Sequence, residues 1–128
     1  MSREQIERTV SDYFAAVRSM DAEAFVAVFA PDAVSHDPVG APPVSGTDGL
    51  RKFFKGMEAT FSQLIMTETA VYINQNEAAV YWQAEGTGQN GKTTLFSGID
   101  VFTCNDEGKI SSLRAYWDPR AMLAQLKG

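Results

Sequence analysis

The sequence predicts an α+β fold in which N-terminal helices cover one face of an antiparallel sheet. Two observations lead to this prediction: apolar residues recur at helical spacing up to about residue 61, and the period changes to two from about residue 64 onward. Because the strands follow the helices instead of alternating with them, the order is typical of an α+β layer. The 128 residues contain no repeat, low-complexity tract or linker, so we expect one domain over residues 1–128.

Three helices are predicted in the first half of the chain. The first spans about residues 3–19, because Ser2 and Gln5 form a capping-box pattern ahead of an apolar stripe. Asp21 can cap a short second helix, which Pro31 ends. The apolar faces are Ile6, Val10, Tyr13, Phe14, Val17 and Met20 in the first helix, Phe25, Val28 and Phe29 in the second, and Leu50, Phe53, Phe54, Met57 and Phe61 in the third, which Thr47 can cap.

Four strands joined by turns fill most of the second half. Asn90–Gly91 is a strong hairpin signal, and the run "NDEGK" marks the turn before the last strand. Asp118 and Pro119 are residue types typical of a helix N-cap and first helical position, so a short helix is predicted from there to Gly128. The strands are predicted at residues 65–73, 78–87, 92–104 and 109–117.

Composition excludes several classes of function. The net charge is −5 and Lys and Arg form no cluster, which argues against nucleic-acid binding. No apolar run approaches the ~18 residues of a membrane span, and residues 1–20 lack a signal-peptide core. Cys104 is the only cysteine, so no internal disulfide can form, and no Cys/His cluster suggests a metal site. We therefore expect a cytoplasmic protein without metal, cofactor, nucleic-acid partner or membrane.

Two aspartates lie in unusually apolar surroundings. Asp37 precedes Pro38 in the turn-rich run "SHDPVGAPPVSG", and the proline restricts it to an extended conformation. Asp100 lies in the middle of the strand "LFSGIDVFTC", neither face of which looks like a solvent face. Such a carboxyl group must find a cation elsewhere or stay protonated, because desolvation disfavours its charged form. Taken singly, Asp37 is also an ordinary turn former and Asp100 a structural acid in an ion pair.

Other polar and aromatic residues have simpler interpretations when each is taken alone. Tyr13, on the apolar face of the first helix, is most simply a core tyrosine with its hydroxyl satisfied at the rim. His36 is the only histidine, and no second His, Ser or Cys at suggestive spacing supports a triad, so we interpret it as structural or as part of a rim. Trp82 and Trp117 are most simply core or pocket wall.

The order of these residues resembles the ketosteroid isomerases, within the nuclear-transport-factor-like (SnoaL-like) fold group. That family has a D-P-x-G-x-P-P segment twenty-four residues after a tyrosine on its first helix, and Asp37 lies twenty-four residues after Tyr13. It also has an I-D-V strand, a following acidic turn and an A-Y-W run, as at residues 99–101, 106–108 and 115–117. The resemblance implies a cone-shaped, curved antiparallel sheet, with three N-terminal helices on its concave face and a short C-terminal helix.

The resemblance also implies a role for each candidate site residue. Asp37 matches the general base and Tyr13 the principal oxyanion donor, and Asp100 matches a second donor, which is known in this family as a carboxylic acid held neutral by an apolar site. Some members have further tyrosines that are hydrogen-bonded to the oxyanion tyrosine. This chain has Phe29 and Phe54 at the matching positions, so we expect Tyr13 to act without that hydrogen-bond network. The substrate pocket is expected to be lined by Trp117, Phe54, Phe29, Trp82 and Val39.

The resemblance implies an isomerase that moves the carbon–carbon double bond of a 3-oxo-Δ5 steroid into conjugation through a dienolate. It also implies a steroid-like hydrophobic substrate and a homodimer formed through the outer face of the sheet. Because folds host unrelated functions, three alternatives stay open. They are another enzyme of this fold, such as a polyketide cyclase or dehydratase; a non-catalytic protein that binds a steroid or another apolar molecule; and a purely structural dimer-forming domain.

Overall fold

A computed structural model describes residues 2–127 as four helices and one six-stranded sheet, which confirms the α+β class. None of the helices in this range is long and apolar enough to cross a membrane. The predicted end of the last helix at Gly128 lies outside the described residues. The helices are α1 (Arg3–Ser19), α2 (Ala22–Ala27), α3 (Gly46–Thr60) and α4 (Pro119–Lys127), and the strands are β1 (Phe29–His36), β2 (Val44–Ser45), β3 (Phe61–Asn74), β4 (Glu77–Gly88), β5 (Thr93–Cys104) and β6 (Ile110–Tyr116).

The first two helices begin with the caps that the sequence predicts. Ser2 and Gln5 form a reciprocal capping box, and the Asp21 side chain accepts a hydrogen bond from the third residue of α2. The predicted cap of α3 at Thr47 is wrong, because α3 begins at Gly46 and its N-cap is Ser45, two residues earlier. The Ser45 side chain makes no capping hydrogen bond, so this start has no side-chain signal in the sequence.

The sheet is curved, unclosed and mixed, with the strand order β2-β1-β6-β5-β4-β3. Strands β3 to β6 form the predicted antiparallel meander, whereas β1 and β2 were not predicted and β1 runs parallel to β6. The sequence of β1 contains Pro31 and Asp32, which are unfavourable in strands. The β1–β6 register shifts between Phe29 and Val34, so Pro31 and Asp32 lie where the ladder is interrupted.

Side chains of β4 and β5 alternate between the helix-covered face and the outer face of the sheet. The even-numbered residues, such as Trp82 and Asp100, lie on the helix-covered face and are buried, except for Phe96 and Gly98, which are half-buried. On the outer face, Leu95 is 68% and Ile99 46% exposed in the single chain. The expectation that neither face of β5 is exposed to solvent is therefore wrong for the single chain. The inner face positions the candidate site.

Candidate active site

A cavity of about 390 Å³ lies between the inner face of the sheet and the helices. This volume falls within the range of small-molecule sites, which are mostly apolar with a few convergent polar groups. Only a few polar side chains interrupt its apolar wall, among them two aspartates and a tyrosine from separate parts of the chain. The cavity can therefore hold an apolar molecule and present a small number of acid–base groups to it.

Five of the eight predicted site residues line this cavity. Tyr13 reaches it from α1, Asp37 from the end of β1, and Asp100 from β5. Trp82 of β4 and Trp117, which follows β6, form part of its wall. The fold thus brings together three polar side chains that lie up to 87 positions apart in the sequence.

Three predicted pocket residues lie outside the cavity, and the expectation for them is corrected. Phe29 and Phe54 pack instead against Phe25, with ring centroids 5.1 and 4.9 Å from it. Their rings are buried in this aromatic cluster behind the cavity wall. Val39 is 44% exposed and faces solvent beyond the turn that follows Asp37. It therefore forms neither a wall nor a lid in this structure.

The structure adds lining residues that the sequence did not identify. Phe53 lines the cavity, whereas its neighbour Phe54 is fully buried behind it. Successive helical residues are rotated by about 100°, so an assignment displaced by one residue selects a different face. Met57 and the apolar side chains of early β3 complete this side, and no pattern in the sequence assigned them to the pocket.

Asp37 accepts a hydrogen bond from a tryptophan that the sequence suggested only as an apolar wall. The Trp117 Nε1 group donates to Asp37 Oδ1 at 2.7 Å. Parallel pairing of His36 with Arg114 brings the two together across 80 residues of sequence. Burial raises the pKa of Asp37 to about 6, and the Trp117 hydrogen bond partly offsets that rise. Asp37 is therefore mostly ionised at neutral pH, yet basic enough to accept a proton.

Asp100 is only 1% exposed and lies opposite Val80 and Ala115 in the two flanking strands. No Lys or Arg among residues 2–127 forms an ion pair with it. Burial, reinforced by the charge of Asp37, raises the pKa of Asp100 well above its usual range. Of the two options left open by the sequence, the structure favours a protonated carboxylic acid, which can donate a hydrogen bond.

The hydroxyl of Tyr13 makes no hydrogen bond to any described residue. The phenol ring is 3% exposed and is held by aromatic edges, including those of Phe14 and Phe102 at centroid distances of 5.1 Å. Burial and the two nearby aspartates raise the pKa of Tyr13 well above 10. The hydroxyl therefore stays protonated at neutral pH and is free to donate to a ligand.

Gly98 allows Trp82 and Trp117 to pack closely against the backbone of β5. A Cβ atom at this position would lie 2.6 Å from Cζ2 of Trp82 and 2.8 Å from Cβ of Trp117. It would also lie 2.6 Å from the carbonyl oxygen of Tyr116. The close approach of backbone and indole rings therefore requires glycine here.

The cavity presents one carboxylate with a pKa of about 6 and two buried groups that stay protonated, and Lys52 and Thr60 are its other polar lining residues. Residues 2–127 contain no cluster of three or more His, Cys, Asp or Glu side chains that could hold a metal ion. A base beside an apolar cavity can remove a weakly acidic proton from carbon, and the donors can stabilise an oxyanion formed on the same molecule.

Comparison with known proteins identifies similar chains of the same length and fold. A family model described as a SnoaL-like domain matches residues 10–113. The chain is 31% identical over 120 residues to the steroid Delta-isomerase of Nocardioides simplex, covering 93% of this chain and 94% of that one.

Two solved structures have closely similar folds. The Delta 5-3-ketosteroid isomerase of a Mycobacterium species has a TM-score of 0.81 at 26% identity, covering 92% of this chain and 96% of its own. The epoxide hydrolase/cyclase-like enzyme SalBIII, which has a role in pyran ring formation in polyether salinomycin, has a TM-score of 0.82 at 30% identity, covering 94% and 97%.

Proposed function

Since the chain belongs to the SnoaL-like domain family, which includes isomerase- and cyclase-type enzymes, we propose that it is a steroid isomerase acting on a 3-oxo-Δ5 substrate. The observation that most supports this proposal is that Asp37 and Asp100 line one apolar cavity, where burial raises the pKa of Asp37 to about 6 and that of Asp100 well above its usual range. A dienolate reaction needs these two acids in opposite protonation states.

The proposed reaction is a proton transfer within one substrate molecule. Asp37 accepts a proton from the carbon between the ketone and the double bond, and the electron pair of that C–H bond moves into the conjugated system. The ketone oxygen becomes the dienolate oxyanion. Protonated Asp37 then returns the proton to the far end of the dienolate, which leaves the double bond conjugated with the ketone. A positioned acid–base group typically contributes about 10²–10⁴-fold to the rate.

Tyr13 and Asp100 are proposed to donate hydrogen bonds to the oxygen as its charge develops. Both are buried, so their donors act in surroundings of low polarity where such bonds have a large effect. Neither needs to ionise during the reaction, because the pKa of each group is raised well above its usual value.

The proposed activity is tested by incubating the protein with 5-androstene-3,17-dione and recording the absorbance of the conjugated enone. We expect enone formation well above the buffer rate. No change in absorbance, with Asp37→Asn and the unmodified protein behaving identically, would remove the isomerase proposal. If an equilenin-like phenolic steroid still bound in that case, the result would support a non-catalytic binding protein.

The rate is expected to depend on pH through Asp37. This carboxyl has a raised pKa of about 6, and only its ionised form accepts a proton, so kcat/KM should be level above about pH 7 and fall tenfold per unit well below pH 6. The substrate does not titrate in this range, so the profile reports the free enzyme. Unchanged circular dichroism over the same pH range excludes acid unfolding as the cause of the fall. A profile that stays level down to about pH 4 would contradict a desolvated base.

A second candidate function is acid–base chemistry on an epoxide or polyketide. The 30% identity to the epoxide hydrolase/cyclase-like SalBIII favours it, and the same pair could act with Asp100 as acid and Asp37 as base. Turnover of an epoxide-bearing polyether precursor without enone formation from the steroid would select this candidate over the isomerase.

We also propose that the chain forms a homodimer through the outer face of its sheet. This face exposes a set of large apolar side chains, which marks it as an interaction surface: Ile65, Tyr81, Leu95, Ile99 and Tyr116. We expect Leu95→Glu to convert a dimer into a monomer in light scattering, because each subunit would bury a charge in an apolar interface. Leu123→Glu, at an exposed site on α4, is the matched control. A monomer in the unmodified protein would contradict the proposal.

A further inference from the structure

Two buried polar atoms at the cavity floor have no hydrogen-bond partner in the described chain. They are Nε1 of Trp82 and Oδ2 of Asp100, and both side chains are 1% exposed. An unpaired buried donor or acceptor is costly, so native proteins usually give such atoms a partner or a function. One of these atoms is a donor and the other, in a protonated carboxyl group, can be the accepting carbonyl oxygen.

The two atoms lie on neighbouring side chains of the same sheet face. Asp100 is paired with Val80 across the β4–β5 ladder, and Trp82 is two residues further along β4, so both side chains point inward beside each other. The Trp82 N–H is near enough to lower the otherwise raised pKa of Asp100, although it forms no hydrogen bond of ordinary geometry. The Trp82 ring is also held edge-on by Phe96, with centroids 5.6 Å apart.

The two oxygens of Asp100 have different surroundings. Oδ2 is enclosed by protein and has no hydrogen-bond partner. Oδ1 also has no protein partner, but it is not enclosed. Because Asp100 lines the cavity, Oδ1 is the oxygen available to a ligand. A carboxylic acid that donates from Oδ1 needs its proton on that oxygen. An N–H donor at Oδ2 favours this arrangement, because the carbonyl oxygen of a carboxylic acid is a better acceptor than its hydroxyl oxygen.

We propose that Trp82 is a positioning residue that donates its indole N–H to Oδ2 of Asp100 and thereby directs the Asp100 proton into the cavity. The catalytic meaning of this contact rests on the proposed isomerase function. A small movement of either side chain completes the bond, and it needs no substrate in the cavity. Trp82 and Trp117 would then each hold one aspartate: Trp117 acts on the ionised base, and Trp82 acts on the neutral acid.

The contact can be tested on the unliganded protein, without turnover, by infrared spectroscopy of the Asp100 carbonyl stretch. The band is identified by its loss in Asp100→Ala. We expect it to move to higher frequency in Trp82→Phe, because a hydrogen bond to a carbonyl oxygen lowers its stretching frequency. Replacement of Trp82 by benzothienylalanine, which keeps the ring shape but lacks the N–H, should give the same shift and guards against misfolding of the phenylalanine variant.

Trp117→Phe is the matched control, since it removes an indole N–H from Asp37 instead. It should raise the pKa of Asp37 above about 6 and leave the Asp100 band in place. An Asp100 band that does not move in either Trp82 variant would overturn the inference. Because this readout needs no substrate, a failure of isomerase activity would leave it interpretable.

A kinetic cycle tests the catalytic consequence. Loss of one hydrogen bond to a neutral acid corresponds to about 0.5–1.5 kcal/mol, so Trp82→Phe should lower kcat by about 2- to 13-fold with little change in KM. The same substitution in Asp100→Ala should lower kcat no further, because Trp82 acts through Asp100. An equal loss in both backgrounds would assign Trp82 to packing alone and overturn its positioning role.

Discussion

Asp37→Asn is expected to lower kcat for enone formation by about 10²–10⁴-fold. The amide is nearly isosteric and can still accept the Trp117 hydrogen bond, but it cannot take up a proton from carbon. KM should change little, because the cavity wall that holds the substrate is intact. The measurement is the steady-state rate with 5-androstene-3,17-dione. A loss smaller than tenfold would mean that Asp37 is not the base.

The same variant carries its own control for folding. The folded-state pKa of Asp37 is about 6, against 3.8 for the ordinary carboxyl, so folding disfavours its ionised form. The stability that the protonated form provides is present below about pH 4 and is lost as pH rises through about 6. Asp37→Asn should therefore raise the free energy of unfolding at pH 7 by about 1–3 kcal/mol, given that Asp37 is only partly buried by surface area. The gain should vanish near pH 4 in denaturant titrations.

Tyr13→Phe is expected to lower kcat by about 10²–10³-fold, the typical effect of removing one oxyanion donor. Its hydroxyl has no protein partner to lose, so the substitution removes a ligand contact without leaving a buried polar atom unpaired. The packing of the ring against Phe14 and Phe102 is retained. Binding of an equilenin-like phenol, followed by fluorescence, should weaken in parallel with kcat.

Phe14→Leu is the control for indirect effects of packing, because it disturbs the aromatic packing around Tyr13 without removing a hydrogen-bond donor. It should lower stability more than it changes phenol binding. Equal effects of the two variants on phenol binding, or unchanged phenol binding in Tyr13→Phe, would contradict the donor role of Tyr13.

Local signals in the sequence predicted α1, α2 and the meander of β3–β6 because each depends on nearby residues. The capping box at Ser2, the Asp21 cap and the Asn90–Gly91 hairpin are short-range features. Strand β1 was not predicted because its stability comes from pairing with β6, some 80 residues away, and Pro31 indicates a helix end. Pairing between distant segments leaves no local periodicity to detect.

The site shows the same division between local and distant information. The positions of Tyr13, Asp37 and Asp100 followed from the spacing of a family pattern, and they line one cavity. The Trp117–Asp37 hydrogen bond was not predicted, because it depends on the parallel register of β1 and β6. The predicted wall residue on α3 was Phe54, one residue away from Phe53, which lines the cavity. Two adjacent phenylalanines in a helix do not define which of them faces the cavity and which faces the core.

The central claim is that two aspartates in one cavity hold opposite protonation states at neutral pH, and ¹³C NMR of carboxyl-labelled aspartate tests it most directly. Signals are assigned by their absence in Asp37→Asn and Asp100→Asn. We predict that the Asp37 signal titrates near pH 6 and that Asp100 keeps the chemical shift of a neutral acid throughout the neutral range. An Asp100 signal that titrates near pH 4, like that of an exposed carboxyl, would contradict the account.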